Sequence, residues 1–162
     1  MRVSRKLIVK KTMYGNGLFA KVPIAKGEML TIYTGPISNK FSEYCVSVGK
    51  NRFLGGGPKA DCKADYINHG CNPNAYIKYL RGKWPELRAL RDIKVSEHIS
   101  LNYLTCDWDL HDKPFKCKCG SKNCFGWIRG FKFLTKRQRR RLLNQGLAPY
   151  LRQELVKPML KM

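Results

Sequence analysis

Acidic residues are scarce in this 162-residue chain: 11 Asp or Glu stand against 32 Lys or Arg, for a formal charge of +21. Such an imbalance repels itself in a compact state and is usually matched to a polyanionic partner, nucleic acid first among the candidates. Long apolar runs are missing as well. The longest near the start is Leu7-Ile8-Val9, too short for a secretory leader or a membrane span, so a non-membrane protein of a reducing intracellular compartment is expected. Glycine (14) and proline (8) are few beside 43% hydrophobic residues, which excludes general disorder and suits one domain of ordinary core size. The seven cysteines are odd in number, and without a leader they read as thiols or metal ligands rather than a disulfide framework.

What is present is a succession of short β-rich pieces. Leu7 to Val9, Met29 to Tyr33, Tyr76 to Leu80, Leu87 to Leu90 and Ile99 to Leu104 are separated by turn chemistry. Those turns are Gly15-Asn16-Gly17, Lys26-Gly27, Gly55-Gly56-Gly57-Pro58, Asn72-Pro73-Asn74 and Arg81-Gly82-Lys83. No long helical pattern interrupts them, so the fold is expected to be mainly β. The composition changes after Gly130: residues 129 to 162 hold ten Lys or Arg and one acid, Glu154. Thr135 is an acceptable N-cap for a basic helix ending near Gly146, and Pro149 can open a second helix. The expected division is 1–112, 113–130 and a basic helical extension over 131–162.

Gly15-Asn16-Gly17-Leu18-Phe19-Ala20 has the spacing of a dinucleotide-binding turn, but that turn must open a helix, and Pro23 and Gly27 break the segment that follows. What two glycines still signal is a backbone that something approaches closely. Cys117, Cys119 and Cys124 supply three thiolates within eight residues, one short of a closed tetrahedral zinc site. Cys71, in the turn-rich Asn68-His69-Gly70-Cys71-Asn72-Pro73-Asn74, is a reasonable fourth donor; unconnected thiols are the alternative. Cys45, Cys62 and Cys106 read as small buried residues, and His98 and His111 as surface residues.

Five features in one order resemble the SET-domain protein-lysine methyltransferases that carry a post-SET zinc segment. They are Tyr14-Gly15-Asn16-Gly17-Leu18-Phe19-Ala20; Ile24-Ala25-Lys26-Gly27-Glu28 leading to Tyr33-Thr34-Gly35; and Asn68-His69-Gly70-Cys71-Asn72-Pro73-Asn74. Then come Ala89-Leu90-Arg91-Asp92-Ile93 running to Ile99-Ser100-Leu101-Asn102-Tyr103, and Cys117-Lys118-Cys119-Gly120-Ser121-Lys122-Asn123-Cys124-Phe125-Gly126. The resemblance covers roughly residues 5 to 128 and implies small curved sheets with a pseudoknot. It implies S-adenosylmethionine as cofactor, held by Tyr14, Gly15, Asn16, Gly17, Asn68, His69 and Tyr103, with Phe125 or Trp127 over the adenine. It further implies Tyr103 as catalytic tyrosine, Tyr33 lining a lysine channel, and structural zinc on Cys71, Cys117, Cys119 and Cys124.

The chain departs from the family at Gly70 (usually Ser), Ser96-Glu97-His98-Ile99 (usually Gly-Glu-Glu-Leu), Asn102 (usually Asp) and Pro36 (commonly Glu). Leu101 stands where many relatives have the Phe or Tyr that helps set the number of methyl groups, and Tyr76 or Ile77 is expected to fill that space. Asp107, Asp109 and Asp112 read as an acidic rim for a basic substrate, or as ordinary loop solvation. The implied substrate is a histone or another basic chromatin or nucleic-acid-associated protein, placing the enzyme in the nucleus or nucleoid. The basic tail would contact DNA or RNA. The rival reading is a catalytically silent, zinc-stabilised nucleic-acid-binding module.

Overall fold

A computed structural model describes residues 5–42, 44–55 and 63–156. Cys62, Gly56 to Pro58 and the basic residues at 2, 157 and 161 lie outside the described residues, as does the side chain of Asp112. Twelve short strands carry the fold: β1 (Leu7–Thr12), β2 (Gly15–Ala20), β3 (Met29–Ile32), β4 (Ile37–Ser38), β5 (Val46–Gly49), β6 (Arg52–Leu54), β7 (Asn68–His69), β8 (Ala75–Lys78), β9 (Glu86–Ala89), β10 (His98–Leu101), β11 (Phe115–Lys116) and β12 (Trp127–Ile128). Among the described residues two α-helices follow, α1 (Lys136–Arg141) and α2 (Pro149–Val156).

Alternation of apolar and polar residues explains most of these strands. In β8, Ala75 and Ile77 are buried while Lys78 is exposed; in β9, Leu87 and Ala89 are buried while Glu86 and Arg88 pair at 2.7 Å. The strands assemble into sheets ordered β1-β2-β10-β7, β3-β9-β8, β4-β6-β5 and β11-β12. Within the first, β10 runs antiparallel to β2 through Ile99↔Leu18 and parallel to β7 through Ser100↔Asn68 and Leu101↔His69. That parallel step brings the Asn68-His69 segment beside the end of β10, from which Tyr103 emerges.

Gly15 and Gly17 serve different ends. Gly15 opens β2 with φ +96° and empty space around it, whereas a Cβ on Gly17 would lie 2.7 Å from Asn68 Oδ1 and 2.9 Å from His98 Nε2. Gly70 is explained the same way: a Cβ there would meet Ser100 Oγ at 2.7 Å, so the family's serine does not fit beside Ser100.

The described residues form two cores. One gathers Leu18, Ile24, Ile77, Leu87, Ile99 and their neighbours from the sheets. The other joins Cys71, Leu104 and Leu110 to Ile128, Phe131, Leu142, Leu147 and Leu151. The C-terminal segment is therefore docked on the body. Ala148 N donates to Thr105 O at 2.8 Å, the Tyr150 hydroxyl donates to Cys106 O, and Lys50 pairs with Glu154 at 3.1 Å. Asn102, fully buried, donates to Gln145 Oε1 at 2.8 Å; an aspartate at this position would have no proton to give.

Thr135 caps α1 in a reciprocal capping box with Gln138. The helix stops at Arg141 instead of near Gly146, continuing as a 3-10 turn over Leu143–Gln145 that Gly146 closes in the left-handed conformation. Pro149 opens α2 as expected.

Candidate active site

Four sulfurs converge. The Sγ atoms of Cys71, Cys117, Cys119 and Cys124 all lie within 4.8 Å of one another. Cys71 Sγ is 3.7 Å from Cys117 and 3.8 Å from Cys124. Four thiolates bound to zinc at about 2.3 Å sit about 3.8 Å apart at the corners of a tetrahedron, so the donor set and its spacing fit zinc. Backbone amides turn toward the sulfurs: Phe125 N donates to Cys71 at 3.4 Å and Gly126 N to Cys124 at 3.3 Å. Such donors stabilise thiolate charge and orient the ligands.

His69 links this cluster to the turn that begins at Tyr103. Its Nδ1 accepts from Tyr103 N at 3.1 Å, which puts the ring proton on Nε2, 3.3 Å from Cys71 Sγ. Burial pushes the ring down to about 4, keeping it neutral.

A cavity of about 190 Å³ opens beside this junction, lined by Tyr14, Asn68, His69, Tyr103, Phe115 and residues of the 116–119 segment. Asn68 is fixed from two sides: Oδ1 takes the His98 Nε2 proton at 2.9 Å, and Nδ2 donates to Asn16 O at 3.2 Å. His98, read from the sequence as a surface residue, is half-buried and stacks on Phe19 at 4.8 Å. The Tyr14 hydroxyl donates to Lys118 O at 3.4 Å, bridging β2's approach to the cysteine-rich segment.

Phe125 and Trp127 do not line the cavity. Phe125 packs in the C-terminal core under the Arg141 guanidinium at 4.4 Å, and Trp127 is 55% exposed on β12. Phe115 stands at the wall instead, edge-on to His69 at 5.6 Å and to Tyr103 at 6.3 Å. Phe115 is absent from the residues that the sequence pointed to; its position two residues before Cys117 was the available signal, and the structure pairs it with Ile128 in the hairpin.

A second cavity, about 110 Å³, has Tyr33, Phe41, Tyr44, Leu101 and Asp107 among its lining. Tyr103 borders both cavities. Its hydroxyl donates to Ile67 O at 2.7 Å, and burial pushes its deprotonation well above the ordinary tyrosine range. Tyr76 and Ile77 do not reach this space: Tyr76 packs on Gly146 and Ile77 is in the first core. Leu101 itself borders the cavity.

Asp107 is inside rather than on a rim, its carboxylate accepting from the Ser47 hydroxyl. Asp109 caps the turn Leu110–Asp112 and holds Lys132 at 3.3 Å. His111 is stacked on Phe41 at 4.2 Å, so it too is engaged rather than free at the surface. Of the basic run in α1, Arg139 is buried with its guanidinium 4.8 Å over Phe131, while Lys136, Arg137 and Arg140 are exposed.

The SET domain family matches residues 15–104, a span holding Gly17, Asn68, His69 and Tyr103. The chain is similar to a mouse "Histone-lysine N-methyltransferase, H3 lysine-36 specific", 30% identical over 75% of this chain and 5% of that protein. It is also similar to the Plasmodium falciparum "Variant-silencing SET domain-containing protein", 28% identical over 75% of this chain and 6% of that one. A third relative is an Emericella nidulans "Histone-lysine N-methyltransferase, H3 lysine-4 specific", 28% identical over 74% of this chain and 11% of that one. The chain thus spans about a tenth or less of the length of these relatives.

Proposed function

This chain belongs to the SET domain family, and from that premise we propose that it is a protein-lysine N-methyltransferase using S-adenosylmethionine, with a histone or another basic, nucleic-acid-associated protein as substrate. The observation that carries the reading is Tyr103 bordering two cavities at once. One offers polar groups for a cofactor and the other is an aromatic-walled slot for a slender side chain. A silent nucleic-acid-binding module has no need of that arrangement.

The cofactor would occupy the cavity of Tyr14, Asn68, His69 and Phe115, beside the Gly15-Asn16-Gly17 backbone, and it supplies an electrophilic methyl group when bound. Asn68, its amide held by His98 and Asn16, presents a fixed dipole to that cavity. Phe115 offers an aromatic face or edge to an adenine ring. Tyr33 and Tyr103 wall the slot in which a lysine nitrogen would be aligned with the cofactor's methyl group. Because Tyr103 gives its own proton to Ile67 O, its oxygen faces the reacting centre as an acceptor that orients the amine's N–H bonds. It needs no ionisation to do so. Zinc on the four cysteines would fasten residues 113–130 over Cys71 and so complete the wall that Phe115 forms.

No helix among the described residues is long and apolar enough to cross a membrane. The exposed Lys136, Arg137 and Arg140 supply phosphate contacts that would bring the enzyme to DNA or RNA and, through it, to a basic substrate that a positively charged enzyme otherwise repels. The test is incubation with tritiated S-adenosylmethionine and core histones, with and without DNA, beside Tyr103→Phe. Label on histone that the variant loses supports the reading. Absence of label with intact cofactor binding removes it in favour of the binding module.

A further inference from the structure

Two carboxyl groups line the second cavity and belong neither to the cofactor site nor to the tyrosine pair. Asp65 comes from the 3-10 turn Lys63–Tyr66, and Asp107 follows the turn Tyr103–Thr105, so separate segments of chain carry them to one enclosed space. Asp107 is locked in place. Its amide donates to Tyr103 O at 2.8 Å, its carbonyl accepts from Phe131 N at 2.9 Å, and its carboxylate takes the Ser47 hydroxyl. Among the described residues, the Asp65 carboxylate has no hydrogen-bond or ion-pair partner and no Lys or Arg lines the cavity.

On a chain with 32 basic and 11 acidic residues, two acids share a cavity whose described lining holds no Lys or Arg, and their burial disfavours the charged carboxylate. A cation that enters the cavity removes that penalty. The walls specify which kind: Tyr33, Phe41 and Tyr44 are apolar aromatic surfaces suited to a hydrocarbon stem and to cation–π contact with its charged tip. A space of about 110 Å³ admits a linear alkylammonium.

We propose that Asp65 and Asp107 receive the ammonium group of the target lysine, and that one of them takes its proton before methyl transfer. The ammonium site rests on the cavity alone; the proton transfer rests on the lysine-methyltransferase reading. An ammonium N–H bond breaks and a carboxyl O–H bond forms, leaving the nitrogen lone pair free. That pair forms the bond to the methyl carbon, the carbon–sulfur bond breaks, and its electrons leave with sulfur. The product is a methylated ammonium, and the carboxylic acid returns its proton to water as the product departs.

The electrostatics suit the task. Burial pushes Asp65 up to about 7. Burial also pushes Asp107 up to about 6, against the Ser47 hydrogen bond and with help from Asp109. The other titratable groups facing Asp107 are Cys106, Tyr79, Tyr150 and Tyr103, and Cys45 faces both acids; burial pushes each of these upward, so all are neutral at pH 7. Carboxylates poised near neutrality are better proton acceptors than ordinary ones.

Two experiments test this on the full chain. In the first, protein labelled with 13C at the aspartate carboxyls is titrated with n-butylammonium, with n-butanol as the neutral control. The expected result is that the amine lowers the Asp65 and Asp107 midpoints by about one unit or more and the alcohol does not. Midpoints unmoved by the amine overturn the ammonium site whether or not the protein is an enzyme. In the second, kcat/KM for methyl transfer to histone H3 is followed from pH 6 to 9.5 for the wild type, Asp65→Asn and Asp107→Asn. At pH 7 the more important acid's variant is expected to lose about 10- to 100-fold, and the loss should shrink as pH rises toward the lysine's own range. A loss equal at every pH, or none in either variant, overturns the proton transfer. A wild type that methylates nothing while the amine still moves both midpoints refutes the methyltransferase reading, and with it the proton transfer, but upholds the ammonium site.

Discussion

Gly17→Ala puts the smallest possible perturbation beside the proposed cofactor cavity. The added Cβ would stand 2.7 Å from Asn68 Oδ1, 2.7 Å from Thr12 Cγ2 and 2.9 Å from His98 Nε2. Ordinary contact begins near 3.5 Å, so the neighbours must retreat by about 0.6 to 0.8 Å. β1 and β2 are paired along their length from Leu7↔Ala20 to Thr12↔Gly15, which resists movement of the backbone. The Asn68–His98 hydrogen bond is therefore what yields. Overpacking of this kind costs about 1–3 kcal/mol of stability, and an amide no longer aimed into the cavity loses about 1–2 kcal/mol of ligand interaction. The latter is about 5- to 30-fold in affinity. Calorimetric titration with S-adenosylmethionine is the assay, with thermal unfolding alongside. Gly15→Ala is the control: its φ of +96° imposes backbone strain, but no atom lies within 4 Å of the new Cβ, so stability should fall while Asn68 stays in place. Cofactor affinity in Gly17→Ala equal to that of Gly15→Ala would refute the claim that Asn68, fixed by His98, holds the cofactor.

Chelation should release one zinc per chain and expose residues 113–130 to protease, since structural zinc is worth on the order of 10 kcal/mol; retained protection without metal would make the four thiols a passive cluster. Phe131→Ala, at a fully buried ring beside Trp108 and Arg139, should lose about 3–5 kcal/mol in urea unfolding, and a loss under about 1 kcal/mol would mean that the C-terminal core is loosely packed. Glu97 is held at about 2: its partial burial opposes ionisation, but Arg91, the Lys94 amide and Asn74 together outweigh it. A depressed carboxyl contributes stability above its unfolded value and loses it as pH falls through about 4.5 toward 2, so Glu97→Gln should flatten the melting-temperature curve over that window. Replacing Lys136, Arg137 and Arg140 by Ala should reduce the salt slope of duplex DNA binding by roughly 0.9 for each phosphate no longer neutralised; an unchanged slope would put any DNA binding elsewhere on the surface.

Much of the site was legible because its parts are local. Cys117, Cys119 and Cys124 declare a metal by their spacing, and Asn68, His69 and Cys71 sit in one short turn, so chain proximity alone brings them near one another. The β strands announced themselves where alternation buries one face, as in β8 and β9, and the α1 cap was visible in Thr135 with Gln138 three residues on. Gly17 could be flagged as a close approach, but what approaches it could not be named. Asn68 and His98 reach it only through the β2-β10-β7 register, which joins stretches of chain far apart in sequence. The same non-local pairing hid His98's hydrogen bond and made Ser100 the reason for Gly70. Phe115 rather than Phe125 reaches the cavity because the β11-β12 hairpin turns one inward and the C-terminal core claims the other. Asp65 and Asp107 are the extreme case. Asp65 carried no signal in the sequence and Asp107 read only as part of a loop rim; the packing of two distant turns around Tyr103 is what gives them a common space.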